Sequence, residues 1–115
     1  MELELTEEQQ QLCQTVREFA EREIAPHVRE WDQGAVFPGE IIRQLGELGF
    51  LGIPFPESYG GAGLGYAEQA LAIQELARVD PSVALTVAAH SSLCTNHIFQ
   101  SGTAEQRQKY MPELA

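Results

Sequence analysis

From residue 81 to residue 104 the chain carries no Asp, Glu, Lys or Arg, although 17 acids and 7 bases stand elsewhere in its 115 residues. Asp80-Pro81 supplies a helix cap followed by proline at the first helical position, and Gly102 supplies a stop, so the run predicts one helix of about 20 residues, about 30 Å long. Its apolar residues do not keep to one stripe. Val83, Val87, Cys94 and Ile98 share one direction while Leu85, Ala88, Ala89 and Phe99 spread elsewhere, which predicts a central uncharged helix enclosed on most sides. The run is long enough to span a bilayer, but His90, Asn96, His97 and Gln100 would be costly in hydrocarbon, so no membrane insertion is expected. Many of its side chains are small, among them Ala84, Ala88, Ala89, Ser91, Ser92, Cys94 and Thr95. Small residues either let neighbouring helices approach closely or leave a slender channel for a ligand, and composition leaves both open.

The length suits one domain, residues 1–115, with one core. A net charge of −10 opposes binding to nucleic acid and to anionic lipid, so neither is expected as a partner. Cys13 and Cys94 lie far apart in apolar contexts, and nothing before Thr6 resembles a secretion leader. These features predict a cytoplasmic protein with reduced thiols.

The rest of the sequence punctuates itself into helices. Thr6-Glu7-Glu8-Gln9 is a capping box, after which Leu12, Val16, Phe19, Ala20 and Ile24 mark one apolar stripe opposite Glu18, Glu21, Arg22 and Glu23. Pro26 predicts a kink or restart, with helix continuing from Val28 to Trp31 and ending at Gly34. Pro38 opens a second helix with Ile41, Ile42, Leu45 and Leu48 inward, Gly49 in the left-handed position beyond its last turn and Phe50 folding back on Leu45. Residues 52–65 hold two prolines and five glycines and read as an ordered loop. Gly61-x-Gly63-x-Gly65 is not a dinucleotide loop, because Tyr66 stands where the last glycine belongs and Pro54 and Pro56 exclude the preceding strand. A third helix over 66–79 presents Tyr66, Ala70, Ile73 and Ala77 inward, flanked by Ala67 and Leu71, with Glu75 and Arg78 paired on its exposed side. A second capping box, Thr103-Ala104-Glu105-Gln106, launches a last helix through Tyr110 and Met111. No segment reads as strand. The fold class is all-α, a bundle of about five to six helices.

Catalytic constellations are absent from the pattern. His27, His90 and His97 have no second metal-type ligand at the spacing that shares a helical face, and Ser91 beside His90 diverges from it by about 100° on a helix. The acids read as solvated helix faces.

Four ordered segments nevertheless resemble one family. "FAEREIAPHVREWDQ", "ELGFLGIPFPESYGGAGLGY", "QELARVDPSVAL" and "GTAEQRQKYMPELA" are similar, in order and spacing, to the N-terminal helical domain of the acyl-CoA dehydrogenases. The resemblance implies an FAD-dependent enzyme that removes two hydrogens across the α and β carbons of an acyl-CoA and passes electrons to a partner flavoprotein, commonly as a homo-oligomer. It implies that Thr86, Ala89, His90 and Leu93 flank the acyl tail, and "AHSSLC" is most similar to members acting on short or branched acyl groups. Family members continue into a β domain and a second helical domain that supply most flavin contacts and the catalytic glutamate, so residues 1–115 alone are expected neither to hold FAD tightly nor to turn over acyl-CoA. Glu75 is the nearest local candidate for a base, and its better reading is as the partner of Arg78. The alternative is a stand-alone helical module that binds an apolar ligand or another subunit without catalysis.

Overall fold

The computed structural model describes residues 3–115. Among them the regular structure is helical throughout, in five rods, two of which are interrupted. The first rod begins as α1, Glu7–Phe19, at a complete capping box: the Thr6 hydroxyl accepts from the Gln9 amide and the Gln9 side chain accepts from the Thr6 amide. Proline at 26 cannot donate to the turn before it, and the rod answers by widening into a π turn, Ala20–Ile24, then tightening into a 3-10 turn, Ala25–His27, before α2, Val28–Gly34. The break falls where the sequence predicts it. At its end, however, the left-handed residue is Ala35, with φ 50°, and not a glycine.

Helix α3, Gly39–Glu47, closes with a Schellman motif: Gly49 has φ 85°, its amide donates to the Gly46 carbonyl, and the Phe50 amide donates to the Leu45 carbonyl at 2.9 Å. This reversal swings Phe50, Leu51 and Ile53 into the core. Ile41 and Leu45 are buried as expected, but Leu48 stands 53% exposed because the chain has already turned away at the cap. The glycine-rich loop is stitched by its own backbone, Ala62 donating to Gly52, Gly63 to Phe55 and Leu64 to Ile53.

Helix α4, Tyr66–Val79, buries Gln69, Ala72, Glu75 and Leu76, not the Tyr66 and Ala70 stripe that apolar spacing predicts; both of those are exposed. Polar side chains hold two inward positions because each is satisfied there: Gln69 donates to the Ser92 hydroxyl at 3.4 Å, and Glu75 accepts from Arg17 and Arg78. The Glu75–Arg78 pair is therefore a buried carboxylate under two half-exposed guanidinium groups, with Arg17 reaching across from α1, and not a pair on the solvated face.

The chargeless run forms α5, Pro81–Ala88, a seven-residue π turn, Ala89–Thr95, and α6, Asn96–Ser101, as one continuous rod. Asp80 caps it by accepting from the Ser82 amide at 2.9 Å. Helix α7, Ala104–Leu114, starts at the Thr103–Gln106 capping box and packs on α6 and on a short 3-10 turn, Glu57–Tyr59. The core gathers Val16, Phe19, Ala20, Ile24, Leu45, Leu76, Val83 and Val87 from the inner faces of α1 and its π turn, α3, α4 and α5. The whole measures 42 × 36 × 21 Å, a slab about two helices thick.

Candidate functional site

The chargeless rod is not enclosed. Its buried residues are Val83, Ala84, Val87, Ser91 and Thr95, all toward the core, while Leu85 is 70% and Leu93 74% exposed on the other side. Cys94, expected inward, is exposed. The π turn explains that miss. An α-helix advances 100° per residue, which puts position 94 beneath Val87, seven residues earlier; the wider turn lags by roughly one residue and brings Thr95 there instead. The buried residues Val83, Val87, Ser91 and Thr95 are spaced by four, and the half-buried Phe99 continues the series. In a pure α-helix that series would rotate by roughly 160° from first to last.

Both inward hydroxyls are committed. Ser91 Oγ, 1% exposed, donates to the Leu51 carbonyl at 2.8 Å, and Thr95 Oγ1, fully buried, donates at 3.0 Å to the carbonyl of His90, five residues back. The Asn96 amide likewise reaches the Ser91 carbonyl, five residues back. Phe99 then closes an aromatic cluster, its ring 5.8 Å from Phe55 and 6.3 Å from Tyr59, with Arg107 5.9 Å above it.

Of the four residues singled out as flanking a ligand, Thr86, Ala89 and His90 are half-buried and Leu93 is open. They occupy adjoining strips of one side of the rod. The Thr86 hydroxyl donates back to the Ser82 carbonyl at 2.9 Å. His90 Nε2 lies 2.8 Å from the Leu114 carbonyl, which fixes the ring as a donor at that nitrogen and ties the rod to the end of α7. Three clefts, of about 310, 560 and 790 Å³, lie elsewhere: between α6 and α7, between α1 and α4, and where α2 meets the start of α5. None includes any of the four. The described residues thus offer an open, uncharged, largely apolar wall and not a closed channel.

The sequence shows Ser91 and Thr95 among the small residues of the run, and Ser91 as unable to pair with His90, without indicating that both hydroxyls point inward. The interval of four from Val83 to Thr95 was the available signal, since it does not fit a 3.6-residue turn. Among the described residues no group of three or more His, Cys, Asp or Glu lies close enough to hold a metal. Glu75 is poorly suited to proton abstraction: its side chain is 8% exposed, and the hydrogen bond from Arg17 holds its carboxyl below the ordinary value. Burial pushes the Cys13 thiol up, which keeps it protonated and unreactive.

The model of the acyl-CoA dehydrogenase N-terminal domain matches residues 6–115. The chain belongs to that family. Mitochondrial isovaleryl-CoA dehydrogenase of Bos taurus is 46% identical over 112 residues, 96% of this chain and 26% of the relative. Among solved structures, a chain from that of an electron transferring flavoprotein of Acidaminococcus fermentans is 43% identical with a TM-score of 0.96, matching all of this chain and 30% of its own. Butyryl-CoA dehydrogenase from Megasphaera elsdenii is 38% identical with a TM-score of 0.93, over 99% of this chain and 30% of that one. This acyl-CoA dehydrogenase N-terminal domain therefore spans less than a third of the length of the proteins it matches. No helix among its described residues is long and apolar enough to cross a membrane.

Proposed function

We propose that this domain serves an FAD-dependent acyl-CoA dehydrogenase that desaturates a short or branched acyl-CoA, and that the open side of the 81–101 rod forms one wall of the acyl pocket. The observation that carries the proposal is the strip of exposed Leu85, half-buried Ala89 and exposed Leu93 on a rod without a charge, in a chain of net charge −10. Solvent gives an acidic protein no reason to keep such a strip uncharged; an apolar tail does. Similarity to an isovaleryl-CoA and to a butyryl-CoA dehydrogenase supports the small acyl class.

The flavin, which would take up the hydride, does not fit this chain alone. An isoalloxazine and pyrophosphate need a ring of converging donors, whereas the open wall presents Leu85, Ala89 and Leu93, and the Thr86 hydroxyl and His90 Nε2 are already bonded within the domain. Arg107 Nε, a buried side-chain nitrogen without a partner, lies against Phe99 in the aromatic cluster near α7. The part assigned to these residues is to seat the acyl tail and exclude water from it; the base and the cofactor cradle belong to other parts of such an enzyme. An electron-accepting flavoprotein, a homo-oligomeric state and a cytoplasmic location complete the proposal, the first supported by the likeness to the electron transferring flavoprotein structure. The bovine relative is mitochondrial, so cell fractionation is the check on location.

The test is Leu93→Phe and Ala89→Leu in the catalytically complete protein, assayed on butyryl-, isovaleryl- and octanoyl-CoA. Filling the wall should lower kcat/KM for the bulkier acyl groups by about tenfold or more relative to butyryl-CoA, the range one to a few methylenes command in an apolar pocket. Unchanged ratios for both variants would refute the wall. A polypeptide of 115 residues that binds acyl-CoA or another subunit without flavin would favour a stand-alone binding module.

A further inference from the structure

We infer that Ser91 and Thr95 are positioning residues for the acyl wall: their hydroxyls hold the π turn Ala89–Thr95 open, and the turn decides which side chains the rod shows to the acyl group. The inference rests on the reading of that wall given above.

The turn is local, and its two hydroxyls address its weak points. A π turn contains one residue more than the α turn it replaces, so backbone donors and acceptors pair five apart and the helix is widened. Threonine in a helix ordinarily returns its hydroxyl to the carbonyl four residues back. Thr95 reaches the carbonyl five back, His90, from a fully buried position, so its hydrogen bond exists only in the widened form. Ser91 fixes the rotation of the same turn against a neighbour, since its bond to the Leu51 carbonyl ties the rod to the chain reversal after α3. The Thr95 bond would not form in an unbroken α-helix.

The consequence reaches the opposite side. Because a π turn advances by about 80° per residue, a step of four through it falls about 40° short of a full turn, where a step of four in an α-helix overshoots by about 40°, and the two offsets cancel along the rod. Leu85, Ala89 and Leu93 are four apart and so form a strip parallel to the rod, back to back with Val83, Val87, Ser91 and Thr95. In a continuous α register seated on Val83 and Val87, Ser92 would move toward the Leu85 line, Cys94 would turn into the core, and Thr95 would leave it. The acyl wall would exchange a leucine for a serine.

Cys94 reports the register directly, because it is exposed while Cys13, the other thiol, is buried. The experiment is the rate of reaction with an aromatic disulfide reagent in the 115-residue chain, with far-UV circular dichroism and Cys13 protection as the check of folding. Thr95→Val keeps shape and removes the hydroxyl; it should slow Cys94 by about tenfold or more as the thiol turns inward. Thr95→Ser should restore the fast rate. Folded Thr95→Val and Ser91→Ala/Thr95→Val variants that label Cys94 at the wild-type rate would overturn the inference. If Thr95→Val unfolds, deletion of Ser92 decides: removing the extra residue makes the hydroxyl dispensable, so Thr95→Val folds in that background if the inference holds and still unfolds if it does not. Thr95→Val in the catalytically complete protein then separates this inference from the wall itself, since that substitution, and not the deletion, brings Ser92 into the strip. A changed preference among butyryl-, isovaleryl- and octanoyl-CoA supports both; a register shift with unchanged preference leaves the inference standing and refutes the acyl wall.

Discussion

Replacing Glu75 by glutamine removes one charge from the most deeply buried carboxylate ion pair described in the domain and nothing from its shape. Arg17 donates to both carboxylate oxygens, at 2.9 and 3.0 Å, and Arg78 donates at 3.1 Å. The glutamine amide keeps one acceptor oxygen but turns an NH2 group toward guanidinium donors. A charge-assisted bond contributes about 1.5–3 kcal/mol, and both arginine heads, about half exposed, regain water when released, so a net loss of about 2 kcal/mol is expected. For a 115-residue domain that is a fall in Tm of about 8 °C. The pH dependence sharpens the test. The arginine contacts depress the folded pKa of Glu75 below 4.5, so its contribution is complete above the unfolded value and is lost as pH falls through the folded one. Urea unfolding followed by circular dichroism at pH 7 and then in steps below pH 4.5 should show Glu75→Gln weaker at neutrality and converging on wild type in acid. A variant within about 0.5 kcal/mol of wild type at pH 7, with the same acid slope, would refute the linking role assigned to this cluster.

Two backbone positions invite simpler tests by the same unfolding assay. Ala35 sits at φ 50°, where an L side chain costs about 1–2 kcal/mol, so Ala35→Gly should stabilise by about 0.5–1 kcal/mol after the added chain entropy of glycine is set against it. A Cβ at Gly61 would collide with the carbonyl group of Phe55, a residue with no exposure, so Gly61→Ala should cost about 2–3 kcal/mol and loosen the loop, seen as faster amide exchange at Gly63.

The features legible in the sequence are those whose cause is local. Thr6 and Gln9, Asp80 and Pro81, and Thr103 and Gln106 announce helix starts within four residues, and each cap forms as read. Gly49 and Phe50 announce a chain reversal and make it. What failed depended on partners distant in the sequence. Glu75 goes inward because Arg17 is 58 residues away on α1 to receive it, and Gln69 because Ser92 is there. Cys94 and Thr95 exchange roles because a π turn intervenes, and its stabilising contact from Ser91 goes to Leu51, 40 residues earlier. The strip that borders the proposed acyl group was legible as uncharged; that it is open was not, because exposure follows from how the other helices pack around Leu85 and Leu93.

A slab 21 Å thick has consequences for its area. A compact monomer of 12.7 kDa exposes roughly 6,200 Å², whereas this domain exposes 7374 Å². The excess, about 1,100 Å², exceeds the roughly 800 Å² that one partner contributes to a protein interface of ordinary size. With only two layers, no helix can be surrounded, and an apolar tail lying along the 81–101 rod would touch this body on one side alone. Desolvating such a tail takes a second body closing over it, so its affinity would report the fit between two surfaces and would rise or fall with whatever holds them together.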